Sequence, residues 1–391
     1  MSSASNRPRV YLDWNATAPL LPEARHAMVA ALDLMGNPSS PHAEGRKARA
    51  AIEQARERVA AAFGAAARQV TFTSGATEAA NWVLTPEVAA GRRKPLRALL
   101  VAATEHACVL AGHRFSSEHV QVLPVAEDGV IEMAALQEQV AALSAQHGAG
   151  SVMVAIQAAN NETGVVQPIA RIAEVVKAQG ALLVCDAVQA AGRIAMPAEA
   201  DILFVSGHKI GGPKGVGAVI VRNDDLLPDP LLKGGGQEKR QRAGTENVAA
   251  IAGFAAAANS AAARTTETYA ATQALQEQLE AGLSEIDGAT VIFGAGAQRL
   301  ANTTCFAVPG VAAETALIAL DMAGIAVSSG AACSSGKVAS SHVLPAMGVP
   351  QDLARCALRA STGPTTTARD IGIFLDAWRA FLDRRAVRAV A

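Results

Sequence analysis

The sequence predicts an α/β protein with a large region built on a mixed, mostly parallel β-sheet and a smaller α+β region after it. Three observations predict this fold class. Short β-rich runs alternate with helical patterns over residues 69–206, the pattern changes after about residue 262, and half of the 391 residues are hydrophobic. A chain of this length and composition can bury a large core.

The larger sheet is predicted from apolar, β-branched runs. They lie at residues 69–73, 97–103, 120–125, 151–157, 181–186 and 202–206, with helical patterns such as residues 134–146 between them. A further run at residues 216–222 follows after too short a gap for a crossover helix, so it is predicted to pair antiparallel through a hairpin. The sheet is therefore expected to be mixed.

The pattern of the C-terminal region differs from that of the sheet. The alanine-rich stretch 247–263 is predicted to be helical. Beyond it the sequence predicts a long helix at 265–285, strands near 290–293 and 303–308, a helix near 313–323 and a closing helix at 367–386. This order predicts a second, smaller α+β domain.

Composition and charge exclude several classes of function. The formal net charge is -1, which creates no strong field toward nucleic acid or anionic lipid. The longest apolar run, at residues 248–258, is far shorter than the roughly 20 residues of a membrane-spanning helix. The first ten residues lack the apolar core of a secretion signal, so a cytoplasmic location is expected. Five cysteines without a C-x-x-C pair argue against a disulfide framework or a zinc site.

Residues 204–217, FVSGHKIGGPKGVG, put Lys209 where a strand enters a glycine-rich loop. A lysine in this position can form an imine with an aldehyde cofactor, and glycines let the backbone approach a ligand closely. Pyridoxal phosphate is the cofactor that this pattern favours. The alternative is a hairpin with solvated lysines.

Asp186 ends the run 181–186, one strand before Lys209. A pyridoxal enzyme needs a carboxylate against the ring nitrogen, because a protonated ring withdraws electrons well. Strand ends of α/β sheets are also where ligands bind. The alternative is an aspartate that caps a loop or a helix.

A binding site for the cofactor phosphate is predicted in FTSGATEAANWVL, where a strand, a Ser-Gly turn and a helix follow one another. The amides of Gly75, Ala76 and Thr77 and the Thr77 hydroxyl could donate to an anion at the helix start. Ser206 and His208 could reach the same dianion. Such turns also occur before helices in proteins that bind nothing.

Other polar residues follow strands and could contact a ligand. The amides of Asn160 and Asn161 could bind a ring oxygen or the substrate, or they could form a turn. His106 could stack on the ring or move protons, or it could be structural. Gln189 could donate to the phenolic oxygen, and Arg359 could clamp a substrate carboxylate unless it is a surface arginine.

Cys333 lies between Gly330 and Gly336, with Lys337 nearby to favour the thiolate. Its small and polar neighbours predict a mobile loop, and we interpret Cys333 as a reactive thiol. The other cysteines are predicted to be structural; they are Cys108, Cys185, Cys305 and Cys356.

Together these segments resemble the cysteine desulfurases, which are class V aminotransferase-like pyridoxal phosphate enzymes of fold type I. The resemblance covers nearly the whole chain. Its motifs are YLDWNATAPLLPEA, GNPSSPHAEGRKAR, FTSGATEAAN, TEHACVL, NNETGVVQPI, DAVQAAG, SGHKIGGPKGVGA, GGGQEKRQRAGTEN, SSGAACSSG and ALRASTG. The cysteine loop is similar to that of the group serving general iron-sulfur assembly and thiolation.

The resemblance implies residue roles. Lys209 would hold pyridoxal phosphate as an imine, Asp186 would face the ring nitrogen, and His106 would stack on the ring and move protons. Gln189 would meet the phenolic oxygen, and Cys333 would attack the sulfur of L-cysteine, leaving a persulfide and releasing L-alanine. Phosphate binding would fall to Ala76, Thr77, Ser206, His208 and, from the neighbouring subunit of a homodimer, Thr245, and carboxylate binding to Asn161 and Arg359.

The resemblance also implies an organisation and partners. Residues 1–14 would pack with the small domain, 15–262 would form the cofactor-binding domain, and 263–391 would form the small domain with the Cys333 loop. An iron-sulfur scaffold or a similar protein would accept the sulfur, and neither nucleic acid nor membrane would be bound directly. Alternatives are a selenocysteine lyase, a class V aminotransferase or a non-catalytic sulfur-assembly partner. The chain departs from the family at Trp14, Ala331 and Pro364.

Overall fold

The computed structural model describes residues 9–89, 95–223, 225–329 and 341–390. Within these ranges the strands are β1 (Val10–Tyr11), β2 (Val70–Thr73), β3 (Val88–Ala89), β4 (Ala98–Ala102), β5 (Val120–Leu123), β6 (Val152–Gln157), β7 (Leu182–Asp186), β8 (Ile202–Ser206), β9 (Gly217–Val221), β10 (Leu227–Pro228), β11 (Val291–Ile292), β12 (Thr303–Ala307), β13 (Ile325–Ala326), β14 (Ser328–Ser329) and β15 (Leu358–Ser361). The helices are α1 (Pro22–Leu32), α2 (Ala43–Ala62), α3 (Ala76–Val83), α4 (Ala107–Leu110), α5 (Met133–His147), α6 (Ile169–Ala178), α7 (Val248–Ile286), α8 (Ala313–Met322), α9 (Val343–Ala346), α10 (Gln351–Ala354) and α11 (Ala368–Val390).

The central sheet of the described chain has seven strands in the order β2-β9-β8-β7-β6-β4-β5. Strands β4 to β8 run parallel, whereas β9 pairs antiparallel with both β8 and β2. The predicted α/β fold class with a mixed, mostly parallel sheet is therefore confirmed. Strand bounds agree closely with the apolar runs; the run at 181–186, for example, forms β7.

Both faces of this sheet are covered, because alternate residues of a strand pack into two different apolar clusters. In β6, Val154 and Ile156 join the cluster that includes α2, α5, α6 and α7. Met153 and Ala155 join the cluster that includes α3. Burial on both faces explains why parallel strands are apolar throughout. Polar side chains are left at the strand ends, where the site lies.

The glycine-rich loop between β8 and β9 reverses the chain, so that Ser206 pairs with Gly217. The antiparallel hairpin predicted here is confirmed. Its backbone is tightly folded: a Cβ on Gly212 would lie 2.9 Å from the carbonyl oxygen of Gly207. Glycine at position 212 is therefore required by close approach, and the fold leaves Lys209 at the end of β8.

Helix α7 is 39 residues long and unbroken. The sequence predicted two helical stretches, at 247–263 and 265–285. The polar Thr265 at the expected junction stays helical, since its Oγ1 donates to the Ala261 carbonyl oxygen over 2.9 Å. The helix crosses residue 262, and the division into domains there stays a prediction. Among the described helices, none combines the length and apolar character that crossing a bilayer requires.

A second sheet, in the order β11-β12-β15-β14, forms the centre of the C-terminal region. Its neighbouring strands pair antiparallel. Helices α7, α8 and α11 contribute to its apolar cluster, in which Phe306 makes edge-on contacts with Phe374 and Trp378. Strand β1 pairs in parallel with β13 of the same region. The N-terminal segment therefore lies beside the C-terminal region before the chain enters the central sheet.

Candidate active site

A cavity of about 520 Å³ lies at the carboxyl ends of β6, β7 and β8. The start of α3 and one side chain of β15 complete its wall. The residues with predicted site roles that line it are Ala76, Thr77, His106, Asn161, Asp186, Gln189, Ser206, His208, Lys209 and Arg359. The fold thus brings most of the predicted site together.

Two residues predicted for the site stand apart from this group. Thr245 is exposed, in the segment before α7. Its predicted contact is with the phosphate of a neighbouring subunit. Cys333 lies outside the described residues, which stop at Ser329 and resume at Ser341. The roles of both residues remain predictions.

Lys209 ends the short turn after β8, and its ammonium group lies in the cavity wall. Its Nζ donates to the carbonyl oxygen of Asn15 over 2.6 Å and to that of Ala16 over 2.9 Å. Both acceptors are neutral backbone groups. These two backbone carbonyl oxygens therefore fix the position of the amine in the cavity wall.

Asp186 is the last residue of β7, directly beside β8 in the sheet. Its Oδ1 accepts a hydrogen bond from the Val188 amide over 2.9 Å. Burial raises the pKa of Asp186 to about 6, although the Val188 amide and the charge of Lys209 lower it. A cationic ring N–H in the cavity would lower this pKa further, because it would stabilise the carboxylate.

Glu105 was missed by the sequence analysis. The residue is fully buried beside Asp186; its Oε1 accepts from the Gln157 amide over 2.6 Å. Its Oε2 is buried and has no hydrogen-bond partner within the described chain. Burial, followed by the charge of Asp186, raises the pKa of Glu105 well above its ordinary value. Burial therefore favours the protonated form of Glu105. Its place immediately before His106 was the signal that could have found it.

His106 precedes the short helix α4 and caps it, because its Nδ1 accepts from the Cys108 amide over 3.1 Å. The proton of the neutral ring is therefore on Nε2. Burial lowers the pKa of His106, as do the charges of Lys209 and His342. A neutral imidazole with a fixed tautomer can stack on an aromatic ring and exchange a proton at Nε2.

The start of α3 forms the anion-binding end of the cavity. Gly75, in a backbone conformation with φ 153° that favours glycine, caps the helix. The amides of the first turn have no acceptor in a preceding turn, so they can donate to an anion together with the Thr77 hydroxyl. Nearby, burial lowers the pKa of His208 to about 4, with smaller effects of Lys209 and Lys214. His208 is therefore neutral.

Arg359 reaches the cavity from β15 and is buried. Its Nη1 donates to the Asn161 carbonyl oxygen over 2.8 Å, and its Nη2 donates to Asp13 Oδ1 over 2.7 Å. Its Nε is buried without a hydrogen-bond partner in the described chain. Such a guanidinium can bind a carboxylate. Asn160, by contrast, forms a turn, as its Oδ1 accepts from the Glu162 amide.

Gln189 has a fixed amide orientation. Its Oε1 accepts from Arg193 Nη1, so its Nε2 is the donor; this atom lies 3.2 Å from the Asn15 carbonyl oxygen. The Arg193 guanidinium is held further by the carbonyl oxygens of Gln189 and Lys209. The second N–H of Gln189 remains for a ligand oxygen. Arg193 was not anticipated from the sequence.

Asn15 joins both sheets at the cavity and was also missed. Its carbonyl oxygen accepts from Lys209 and Gln189. Its Nδ2 donates to Thr303 Oγ1 over 2.9 Å, and its Oδ1 accepts from Asn302 Nδ2 over 3.0 Å. Its place in the segment YLDWNATAPLLPEA was its only signal in the sequence, since these partners lie far along the chain. Asn15 therefore holds the lysine end of the cavity against the C-terminal region.

Two residues just after the undescribed segment 330–340 contact the larger region. Ser341 Oγ donates to Glu162 Oε2 over 2.6 Å, and His342 Nε2 donates to the Glu105 carbonyl oxygen over 2.8 Å. Burial raises the pKa of Glu162 to about 7, although Ser341 and Arg359 lower it. These contacts fix the start of α9 beside His106.

The remaining cysteines are buried, as the sequence predicted. Burial, followed by the negative charge of Asp186, raises the pKa of Cys185 well above its ordinary value. Burial, followed by the charge of Glu162, likewise raises the pKa of Cys305. Cys356 is buried in the C-terminal core, and Cys108 is buried at the cavity wall. A thiol of raised pKa is a poor nucleophile at neutral pH.

The groups of the cavity fit pyridoxal phosphate chemically. The cofactor has an aldehyde, a basic ring nitrogen and a phosphate. The cavity offers an amine at Lys209, a carboxylate at Asp186 and a helix start at Ala76. The described wall therefore holds one complementary group for each.

Known proteins resemble this chain over nearly its whole length. Residues 10–374 match the family model for aminotransferase class-V. A cysteine desulfurase of Cereibacter sphaeroides is 41% identical over 386 residues, which cover 96% of each chain. A NifS-like protein from Rickettsia africae has a solved structure with a TM-score of 0.85 and 34% identity, covering 96% of this chain and 99% of that one.

A third comparison comes from a structure solved with cysteine. SspA in complex with cysteine aligns with a TM-score of 0.72 and 28% identity, covering 91% of this chain and 99% of that chain. Family model, relative and folds agree with one another, and the sequence resemblance to this family is confirmed. The chain belongs to the class-V aminotransferase family and, within it, to the group of the cysteine desulfurases.

Proposed function

We propose that this protein is a pyridoxal phosphate-dependent cysteine desulfurase, which moves the sulfur of L-cysteine to Cys333 and releases L-alanine. The observation that carries the proposal is the position of Lys209 and Asp186 on adjacent strand ends, in one cavity with Arg359. An amine, a ring-facing carboxylate and a carboxylate-binding cation are the groups that an amino-acid reaction on this cofactor needs.

The chain's own residues would hold the cofactor at four points. Lys209 would bind the aldehyde, Asp186 the ring nitrogen and Gln189 the phenolic oxygen. The phosphate would be bound by Ala76, Thr77, Ser206, His208 and, from a second copy of the chain, Thr245. When bound, pyridoxal phosphate supplies an electron sink that stabilises negative charge at the substrate Cα and makes the bond from Cβ to sulfur labile.

Arg359 and Asn161 would bind and orient the substrate carboxylate. The guanidinium is rigid because Asn161 and Asp13 accept from its two terminal nitrogens. A preorganised cation loses little entropy when the substrate arrives. The rigid clamp would therefore keep the Cα hydrogen within reach of the base.

Two groups would move protons. Lys209 Nζ, which lies in the cavity wall, would take the proton from the substrate Cα. His106 would exchange a proton at Nε2, the atom that carries the proton in its neutral tautomer. Its lowered pKa favours the neutral ring, whose Nε2–H would donate toward the reacting atoms.

The sulfur-transfer step would use the Cys333 thiolate, which is assigned from the sequence. Its sulfur would attack the sulfur of L-cysteine, so that an S–S bond forms and the bond from Cβ to sulfur breaks. The electron pair of the broken bond is left on the carbon skeleton, which takes up a proton to become L-alanine. One thiol and one L-cysteine give one persulfide and one L-alanine, and no external oxidant or reductant is consumed.

The persulfide would then pass to an acceptor protein such as an iron-sulfur scaffold. We further infer that the protein acts as a cytoplasmic homodimer, in which each copy supplies Thr245 to the phosphate site of the other. Light scattering of the purified protein should give twice the monomer mass. A monomer that binds pyridoxal phosphate fully would contradict the role of Thr245.

The test of the function measures L-alanine and sulfide from L-cysteine in the presence of a thiol reductant. The wild type should release the two products in equal amounts. Cys333→Ala should keep bound cofactor and lose sulfide release by about 10³-fold or more. Cys356→Ala, in the C-terminal core, is the matched control and should keep both products.

Different results would favour the other enzymes of this fold. Turnover by Cys333→Ala at the wild-type rate would make Cys333 unnecessary, as expected for an aminotransferase. A strong preference for selenocysteine over L-cysteine would indicate a selenocysteine lyase. No cofactor binding by the wild type would support the non-catalytic alternative.

A further inference from the structure

A carboxylate stands at the end of the cavity that the phosphate would occupy. Glu78 is the third residue of α3, and it lines the cavity beside Gly75, Ala76 and Thr77. Its Oε2 accepts from the Ser74 amide over 2.8 Å. Only 12% of the Glu78 side chain is exposed, so solvent screens its charge poorly.

Glu78 and a phosphate dianion are poorly matched neighbours. An acidic residue in the first turn is favourable to a free helix, since it faces the positive end of the helix dipole. A dianion at the same helix start would be repelled by that carboxylate. Burial raises the pKa of Glu78, but hydrogen bonds from Arg242 and Ser74 hold it below the ordinary value. The carboxylate is therefore ionised at neutral pH.

Arg242 is paired with this carboxylate in a two-point contact. Its Nε donates to Glu78 Oε1 over 2.9 Å, and its Nη2 donates to Oε2 over 3.3 Å. The pair is largely withdrawn from solvent, with 23% of the Arg242 side chain exposed. Bidentate pairs of this kind are the strongest geometry between arginine and a carboxylate.

The segment that carries Arg242 is held by a second, fully buried ion pair. Glu238 Oε2 accepts from Arg56 Nη1 over 2.6 Å and from the Phe72 amide of β2 over 2.9 Å. The residues of this turn, Glu238, Lys239 and Arg240, have φ values of 45°, 54° and 69°. Three successive non-glycine residues in this conformation persist only where contacts determine it.

Strand β2, whose Phe72 amide binds Glu238, leads directly to Ser74 and α3. The buried ion pair of Glu238 and the phosphate-binding end of the cavity therefore lie on the same strand. Arg242 lies four residues beyond the anchored Glu238. The backbone that leads to Arg242 is therefore anchored by contacts that do not involve Glu78. The Arg242 guanidinium is then held by the two-point contact with Glu78.

We propose that Arg242 is a positioning residue that neutralises Glu78 and so allows the start of α3 to accept the phosphate dianion. It acts through Glu78, without touching the cofactor. The inference rests on the proposed function, because that function assigns the phosphate to this end of the cavity. It assigns to the ion pair a role in selecting phosphorylated over unphosphorylated cofactor.

The experiment compares two ligands in three variants of the full-length protein. Arg242→Gln, Glu78→Gln and the double variant are dialysed as holoenzyme against graded concentrations of pyridoxal phosphate or of pyridoxal, and bound cofactor is measured by absorbance. Arg242→Gln should weaken binding of pyridoxal phosphate by roughly tenfold. Binding of pyridoxal should change by less than about twofold, since it carries no phosphate.

The other variants separate charge from structure. The double variant should regain wild-type affinity for pyridoxal phosphate within about twofold, because the uncompensated carboxylate is gone. Glu78→Gln alone should bind pyridoxal phosphate at least as tightly as the wild type, since the carboxylate that repels the dianion is then gone. This second variant tests the proposal even where Arg242→Gln does not fold.

Equal losses for both ligands in Arg242→Gln, or a double variant as weak as the single one, would overturn the proposal and leave a purely structural ion pair. A wild type that binds pyridoxal as tightly as pyridoxal phosphate would instead contradict the phosphate site of the proposed function. The two failures are therefore distinguishable.

Discussion

Ser341 Oγ and Glu162 Oε2 are joined by a hydrogen bond of 2.6 Å that ties the start of α9 to the loop after β6. Ser341 also accepts from the amides of Val343 and Leu344, so one hydroxyl serves as helix cap and as contact with the larger region. Because the pKa of Glu162 is raised to about 7, the carboxyl group in this contact changes its charge near neutral pH.

The free energy of unfolding should therefore fall as pH rises through the range in which Glu162 titrates. Below the ordinary value of 4.5 the carboxyl is protonated in both states; between about 4.5 and 7 the unfolded chain releases the proton and the folded chain keeps it. The folded state binds more protons in this window, so this contribution to the free energy of unfolding is full below about pH 4.5 and is lost progressively as pH rises to about 7, by about 3 kcal/mol in total. Glu162→Gln should remove this dependence.

The measurement is urea unfolding of the wild type and Glu162→Gln at a series of pH values from 5 to 8 (roughly the window above). The difference in unfolding free energy should shift in favour of Glu162→Gln as pH rises. A difference that is constant with pH would show that the Glu162 carboxyl does not titrate in this range.

Lys209→Ala should abolish the visible absorption of lysine-bound cofactor and lower turnover by on the order of 10³-fold or more, because the imine and a proton-transfer group are lost together. The exposed Lys177 on α6 offers a control, and Lys177→Ala should keep both properties. Absorbance spectra and alanine release measure the effect. Loss of the band in Lys214→Ala, with the band retained in Lys209→Ala, would assign the imine to the other lysine of the cavity wall.

Arg359→Lys should raise the KM for L-cysteine by about 10- to 100-fold, since lysine cannot form the two-point contact with a carboxylate. The visible absorption of the bound cofactor should stay unchanged. Arg299→Lys is a matched control, because Arg299 makes a bidentate pair with Glu280 elsewhere. Steady-state kinetics decide the matter: a KM that rises equally in both variants would argue against substrate contact by Arg359.

Gly363→Ala should destabilise the protein by about 1–3 kcal/mol through overpacking. A Cβ on Gly363 would lie 2.1 Å from Cδ2 of the buried Trp14, whose rigid ring cannot bend to relieve the clash. Gly372→Ala, in α11 with nothing nearby, should instead stabilise by roughly 0.5–1 kcal/mol. Thermal unfolding of both variants tests the pair; a Gly363→Ala protein as stable as the wild type would mean that Trp14 can move aside.

The central sheet could be predicted because its strands carry their own signal, a continuous apolar run between polar ends. Strands β13 and β14 could not be predicted, since each has only two residues. They are defined by their pairing with β1 and β15, respectively. Helix α7 was expected to break near Thr265, a residue of low helix propensity. Packing of its two halves on different regions outweighs that local preference.

Most of the predicted site residues share a property that sequence can display: they carry their chemistry in a motif at or just after a strand end. Glu105 and Asn15 do not, because their roles depend on partners that are distant in the chain. The left-handed turn from Glu238 to Arg240 is a clearer case. A left-handed backbone conformation is usually signalled in the sequence by a glycine. Here the buried ion pair of Glu238 with Arg56 stabilises that conformation although none of the three residues is glycine.

The hydrogen bonds of Asn15 limit which mutations an evolving lineage could accept. Its side chain donates a hydrogen bond to Thr303 and accepts one from Asn302, so position 15 needs a donor and an acceptor on one short side chain. Aspartate lacks the donor, serine lacks the reach, and glutamine is one carbon too long. A library that randomises this codon should therefore be almost empty of active clones, although the Asn15 side chain itself carries no proposed catalytic group.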